Sequence, residues 1–301
     1  SGRTAITVFI EGEGPSGRLI GVSAAESVGT AFYASTDSIP EPVIAGALKG
    51  LLENSAIRKE TDNAKALHLF SLRHSIKADG IGIDTSLASY VINPSKPGHS
   101  IGALAREYLG SRAMDGDIDG MEPLDAAAFS CRRACKVFLV SEILRKELED
   151  SGLFGLYNEM ELPLAGVLAK METAGIKVDR DMLSSLSKEM EIELASIEAR
   201  IYASAGMEFN INSPKQLSEL LFEKLKLKPV KKTKTGFSTD EEVLTLLAAR
   251  HEVPSLIIGY RQLSKLKSTY VDALLELIDP KTGSVHTSFN QTVTSTGRLS
   301  S

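Results

Sequence analysis

The stretch FNINSPKQLSELLFEKLKL (209–227) sets Asn210 and Asn212 just ahead of Ser213, Pro214 and Gln216. Ser213 is suited to accept from a free backbone N–H at a helix start. Pro214 presets φ at the first helical position, and Gln216 completes a capping box. Leu217, Leu220, Leu221 and Leu225 recur at helical spacing, which predicts a helix from about Pro214 to Lys224. A helix start with free N–H groups, flanked by amide side chains, is suited to holding an anion. Residues 210–234 also carry seven lysines, at 215, 224, 226, 228, 231, 232 and 234, against Glu219 and Glu223. That is a local positive field on a chain whose net charge is −5. An ordinary capped helix beside a solvated lysine face has the same pattern, and spacing alone leaves both readings open.

Other reactive types are sparse. The two cysteines, Cys131 and Cys135, are spaced i,i+4 in a helical stretch with no adjacent histidine, so free thiols are expected rather than a zinc site. With 301 residues, 43% of them hydrophobic, the chain can bury one large or two ordinary cores. No apolar run has the length needed to span a bilayer, and the N-terminus SGRTAITVF lacks a signal-peptide pattern. A cytoplasmic protein fits.

The elements that position these residues fall into two halves. In residues 1–152, AITVFIEG, RLIGVSAA and GTAFYAS read as three strands, followed by a helix, a strand at AIRKET, and a helix at NAKALHLFSLRHS. GIGIDTSLASYVINPS reads as a strand running into a helix that Asp84 caps, and a long helix covers about 124–149. This order predicts a mixed sheet flanked by helices. From 153 the pattern is helical. Leu156, Met160, Leu164, Val167, Leu168 and Met171 mark the apolar face of a helix ending near Gly175. A second, charged helix follows, about 25 residues long by the same spacing rule. STDEEVLTLLAARH carries a capping box in Ser238 and Glu241, and a long helix covers about 254–278. The terminal GSVHTSFNQTVTSTGRLSS alternates like a strand pair.

ELPLAGVLAKMETAGIKVD, FNINSPKQLSELLFEKL, KKTKTGFST, YRQLSKLKSTYVDAL and VHTSFNQTVTSTGRLSS, in this order, resemble the family A DNA polymerases over about half the chain. The resemblance implies a ribonuclease H-like α/β 3′–5′ exonuclease-like domain at 1–152, an all-α thumb at 153–284, and the first strands of a truncated palm at 285–301. It implies that the thumb holds primer–template duplex DNA without reading bases. Asn210, Asn212, Ser213, Gln216, Lys231, Thr233, Lys234, Ser238, Thr239, Lys265, Ser268 and Thr269 match that surface, and Arg298 matches the arginine at the palm entry. The parent protein would be a monomeric, cytoplasmic, nucleoid-associated bacterial enzyme of replication and repair, using deoxynucleotides and Mg²⁺. The palm carboxylates that hold the metal lie beyond Ser301 in the family pattern. These 301 residues are thus expected to need no cofactor and to incorporate no nucleotide.

The same resemblance prescribes four carboxylates and a tyrosine for the exonuclease, around two ions about 3.5–4 Å apart. The first pair falls on Glu11 and Glu13, or, one residue out of register, on Ile10 and Gly12. The third falls on Leu67, four residues after Asn63, and the tyrosine and last aspartate fall on Phe129 and Arg133. An arginine is incompatible with a divalent-ion shell, so a vestigial domain without metal is expected. Two other readings stand beside this one: an active exonuclease with unusual ligands, and a stand-alone DNA-binding module.

Overall fold

β1 (Arg3–Glu11), β2 (Arg18–Ser27) and β3 (Thr30–Ser35) form an antiparallel meander, as the alternating β-branched runs predict. Gly21 on β2 is required there, because a Cβ would lie 2.7 Å from both the Ala34 carbonyl and the Tyr33 ring. After α1 (Glu41–Leu52), β4 (Arg58–Thr61) joins β1 in parallel. After α2 (Ala64–Arg73), β5 (Ile81–Asp84) joins β4 in parallel, giving the mixed sheet order β3-β2-β1-β4-β5. Asn63 caps α2 by accepting from Ala66 N, and Asp84 caps α3 (Thr85–Ile92) by accepting from Ser86 N and Leu87 N. α4 (Ile101–Leu109) and the long α5 (Pro123–Asp150) complete this layer. The computed structural model describes residues 2–12, 14–111, 116, 118–233 and 236–301.

The two faces of the sheet carry different cores. Ile6, Leu19, Val22, Ile44, Leu52, Leu67 and Phe70 pack on the α1 and α2 side. Ala5 and Ala25 pack with Ala134, Val137 and Val140 of α5 on the other.

The compact units are residues 1–176 with 286–301, and residues 177–285, which differs from the expected breaks at 152 and 284. The helical run of α6 (Phe154–Leu156), a π-helical turn over Tyr157–Glu161 and α7 (Leu162–Ala174) belongs to the first unit. Its buried face is Tyr157, Leu162, Ala165, Leu168, Ala169 and Glu172. The expected face is met only in part: Leu168 is buried and Leu164 half-buried, but Met160, Val167 and Met171 are at least half exposed and Leu156 is 43% exposed. The cause is close packing on α2, where Gly166 lies against the His68 ring. The buried Glu172 carboxylate accepts from Lys65 Nζ at 2.6 Å and from Phe289 N at 2.7 Å, while its carbonyl meets His286 Nδ1 at 2.7 Å. These bonds tie 286–289 to α7. The expected terminal strand pair reduces to a single bridge between Asn290 and Ser300. The intervening turn is closed by Thr294 Oγ1 donating to the Arg298 carbonyl.

A two-residue strand, β6 (Ile176–Lys177), leads to the second unit. α8 (Arg180–Ala205) starts at the Asp179 cap and stops at Gly206, whose φ of 69° few other residues adopt. α9 (Pro214–Ser218) continues through a π-helical turn, Glu219–Lys224. A hairpin of β7 (Lys232–Thr233) and β8 (Gly236–Phe237) follows, then α10 (Glu241–Ala248). α11 (Glu252–Lys265), a π-helical turn over Leu266–Asp272 and α12 (Ala273–Leu277) make one long rod. β9 (Ile278–Asp279) and β10 (Ser284–Val285) pair behind it. The core joins Ile201, Phe209, Ile211, Leu217, Leu221, Val243, Leu247 and Ile257. Among the described residues, no helix is long and apolar enough to cross a membrane.

Candidate nucleic-acid interface

Phe209 and Ile211 are in the core of the second unit, so the alternating backbone turns Asn210 and Asn212 outward. Asn210 shapes the turn: its Oδ1 accepts from Asn212 N at 2.9 Å and its carbonyl accepts from Ser213 N at 2.9 Å. Ser213 Oγ caps α9 by accepting from Gln216 N. Gln216 does not close the expected box onto Ser213 N, because Asn210 already occupies that donor. Its Oε1 accepts instead from Asn210 N at 2.7 Å.

The start of α10 departs from expectation in a similar way. Asp240 is the cap, accepting from Val243 N at 2.9 Å, while Ser238 Oγ accepts from Asp240 N at 3.2 Å. Two cap-forming residues stand two apart, and the one adjoining the helix takes the role. Ser238 and Thr239 are buried, and the Thr239 carbonyl accepts from Arg261 at 2.7 Å.

Between these two helix starts lies an open groove of about 1110 Å³. Asn212, Ser213, Lys215, Ser238, Thr239 and Arg261 contribute its polar donors, and Phe237 forms part of its wall. Phe237 is held edge-on to Phe222 at 5.2 Å, which anchors the hairpin to the helix after α9. Of the described lysines in 210–234, Lys215 is the one in the lining. Glu219, Glu223 and Asp240 line it too, so the groove is mixed in charge rather than uniformly basic. Burial pushes the Arg261 guanidinium below its ordinary value. The Val243 N–H, then Ser238 and Lys231, hold the Asp240 carboxyl down at about 2. Arg261 was missed in the sequence, although it stands one helical turn before Lys265 and so on the same face.

Lys231 is exposed and ion-paired to Asp240 at 3.0 Å and Glu242 at 3.5 Å. Lys265, Ser268 and Thr269 are exposed along the rod, in the second unit. Arg298 is exposed in the first unit. Lys234 and Glu13 lie outside the described residues, as does the side chain of Thr233.

Among the described residues, the expected exonuclease positions do not converge. Glu11 pairs with Arg18 at 2.8 Å at the end of β1. Ala5, Thr7 and Phe9 of β1 face α5, the last two near Phe129 and Arg133. Thr7 bonds Ser23, which donates to the Ser130 carbonyl, and Phe9 packs with Phe129 and lies under Arg133. Leu67 is fully buried on the opposite side of the sheet. Arg133 Nε donates to Asp62 at 2.6 Å. A two-metal centre does not fit a guanidinium, two phenylalanines and a threonine.

Residues 180–301 match the family model of DNA polymerase family A, and residues 16–117 match that of the DNA polymerase I ribonuclease H-like domain. The DNA polymerase I of Geobacillus stearothermophilus is 38% identical over 293 residues, covering 94% of this chain and 33% of that protein. That of Synechocystis sp. is 42% identical over 272 residues, covering 86% and 28%. The chain belongs to DNA polymerase family A. Among solved structures, this family A chain is similar to the POL domain of Pol1 from M. smegmatis in complex with DNA primer-template and dNTP. The TM-score is 0.82 at 31% identity, over 99% of this chain and 50% of that one. The chain spans about a third of the length of the curated family A relatives it matches.

Proposed function

We propose that residues 177–285 are the thumb of a DNA-directed DNA polymerase and hold primer–template duplex DNA by its backbone. The observation that carries this reading is the likeness to the M. smegmatis POL domain, whose complex contains primer-template and dNTP. The exposed Asn212, Lys215, Lys265, Ser268 and Thr269 support it. Backbone N–H groups, amides, hydroxyls and single ammonium groups suit phosphate and sugar contacts, whereas base reading needs side chains reaching the groove edges. Residues 286–301, with Arg298, would begin the palm. Nucleotide incorporation, with Mg²⁺ supplied to palm carboxylates, belongs to the whole protein. None of these 301 residues is assigned to that metal.

The first unit is proposed as a structural remnant of a proofreading exonuclease. Arg133, Phe129, Leu67 and the Thr7–Phe9 pair support this, because hydrolysis by two metals needs carboxylates at such places. The test is fluorescence anisotropy of the chain with two duplexes of unrelated sequence. Similar, salt-sensitive affinity for both is expected. A strong preference for one sequence contradicts the reading.

A further inference from the structure

Lys231 stands at the foot of the β7–β8 hairpin, where its carbonyl accepts from Ser238 N at 3.0 Å. Its ammonium reaches two carboxylates, Asp240 at 3.0 Å and Glu242 at 3.5 Å. The two acids differ in what else they do. Asp240 is fixed as the cap of α10. Glu242 is 76% exposed, and Lys231 is its partner among the described contacts.

We infer that Glu242 is an intramolecular rival of the DNA backbone for Lys231, and so sets the strength and salt dependence of the thumb's grip. The inference rests on the duplex-holding reading above. A phosphate approaching an unpaired surface lysine displaces condensed salt ions, which gives binding its slope against salt. A phosphate approaching Lys231 must displace a tethered carboxylate instead. That exchange costs affinity and releases fewer salt ions. Exposed ion pairs are weak, so the cost is modest and the exchange stays reversible. Without Glu242, Lys231 keeps Asp240 as its one described carboxylate partner, at 3.0 Å, and the ammonium is freer to turn to a phosphate.

The test is a double-mutant cycle of Glu242→Gln and Lys231→Ala in the full chain. Affinity for a fluorescein-labelled duplex of mixed sequence is measured across a potassium chloride series. Glu242→Gln alone should tighten binding about two- to five-fold at low salt, the range expected for an exposed pair, and should steepen the salt dependence. In the Lys231→Ala background the same substitution should do nothing. Equal tightening in both backgrounds would make Glu242 a general repulsive charge and overturn the inference, leaving the grip itself intact. No change in either background overturns it as well. If wild-type chain shows no salt-dependent binding to any duplex, the grip reading fails and the inference fails with it. A measurement without DNA checks the pairing itself. Acetylation of Lys231 by acetic anhydride, read by peptide mass spectrometry, should be faster in Glu242→Gln than in wild type. Equal rates would show that Glu242 does not hold the lysine.

Discussion

Arg133 Nε donates to the Asp62 carboxylate at 2.6 Å, and its guanidinium carbon lies 5.3 Å from the centre of the Phe9 ring. Asp62 is only 4% exposed, so the pair is largely desolvated. Truncating one partner leaves a buried charge without compensation. Arg133→Met should therefore cost about 2–4 kcal/mol of stability, read by urea unfolding followed by circular dichroism. Adding Asp62→Asn should recover most of the loss. A single-variant cost under ~0.5 kcal/mol, the usual surface value, would mean that the pair is incidental.

The same pair bears on hydrolysis. With manganese supplied, the purified chain should degrade 3′-labelled single-stranded DNA no faster than its Glu11→Gln variant. Degradation that disappears in that variant would restore the exonuclease reading and assign Glu11 a ligand role.

Much of this arrangement is legible in the sequence because it is local. The strands declare themselves by alternation, Asn63 and Asp84 by their position before apolar helices, and Asn210 and Asn212 by alternating with Phe209 and Ile211. What is not legible depends on distant partners. Position along β1 is decided by packing: Thr7, through Ser23, and Phe9 meet Ser130 and Phe129 of α5, whereas Glu11, on the same side by the period of two, sits at the end of the strand paired with Arg18. The run after 153 shows an apolar stripe, yet it buries small alanines and Glu172 because Lys65 and the backbone of Phe289 satisfy that carboxylate. No spacing rule predicts a partner more than a hundred residues away.

The two faces of α7 differ by an amount that mutation can resolve. Leu168 is 1% exposed and Val167 is 50% exposed. Leu168→Ala should cost about 2–5 kcal/mol through lost burial and a cavity, whereas Val167→Ser should change stability by less than ~0.5 kcal/mol. Thermal and urea unfolding of the two variants side by side decides it. Equal costs would restore the exposed stripe as a core face.

Asp84 gives the first unit a pH signature. Burial pushes its carboxyl up to about 6, against the opposing pull of the Ala64, Leu87 and Ser86 N–H groups. The folded state therefore holds this proton more tightly than the unfolded chain. Asp84 favours folding most below its unfolded value, and that contribution fades as pH rises from about 4 through about 6. Glu60, also raised by burial, acts in the same direction. His68 and His99, lowered by burial, act oppositely as pH falls. A variant comparison removes these other groups. The stability of Asp84→Asn relative to wild type should improve as pH rises from 4 to 7. A difference that is flat across that range would show that Asp84 titrates at its ordinary value.

The grip itself is tested most directly by the slope of affinity against salt in Lys215→Ala and Lys265→Ala. Both side chains are exposed, and neither has a carboxylate partner among the described ion pairs. Each phosphate contact contributes about 0.9 to the logarithmic slope. Each variant should flatten the slope by about one unit and weaken binding to two unrelated duplexes alike. A wild-type slope in both variants, or a loss confined to one of the two sequences, would contradict the assignment of residues 177–285 as a sequence-independent holder of duplex DNA.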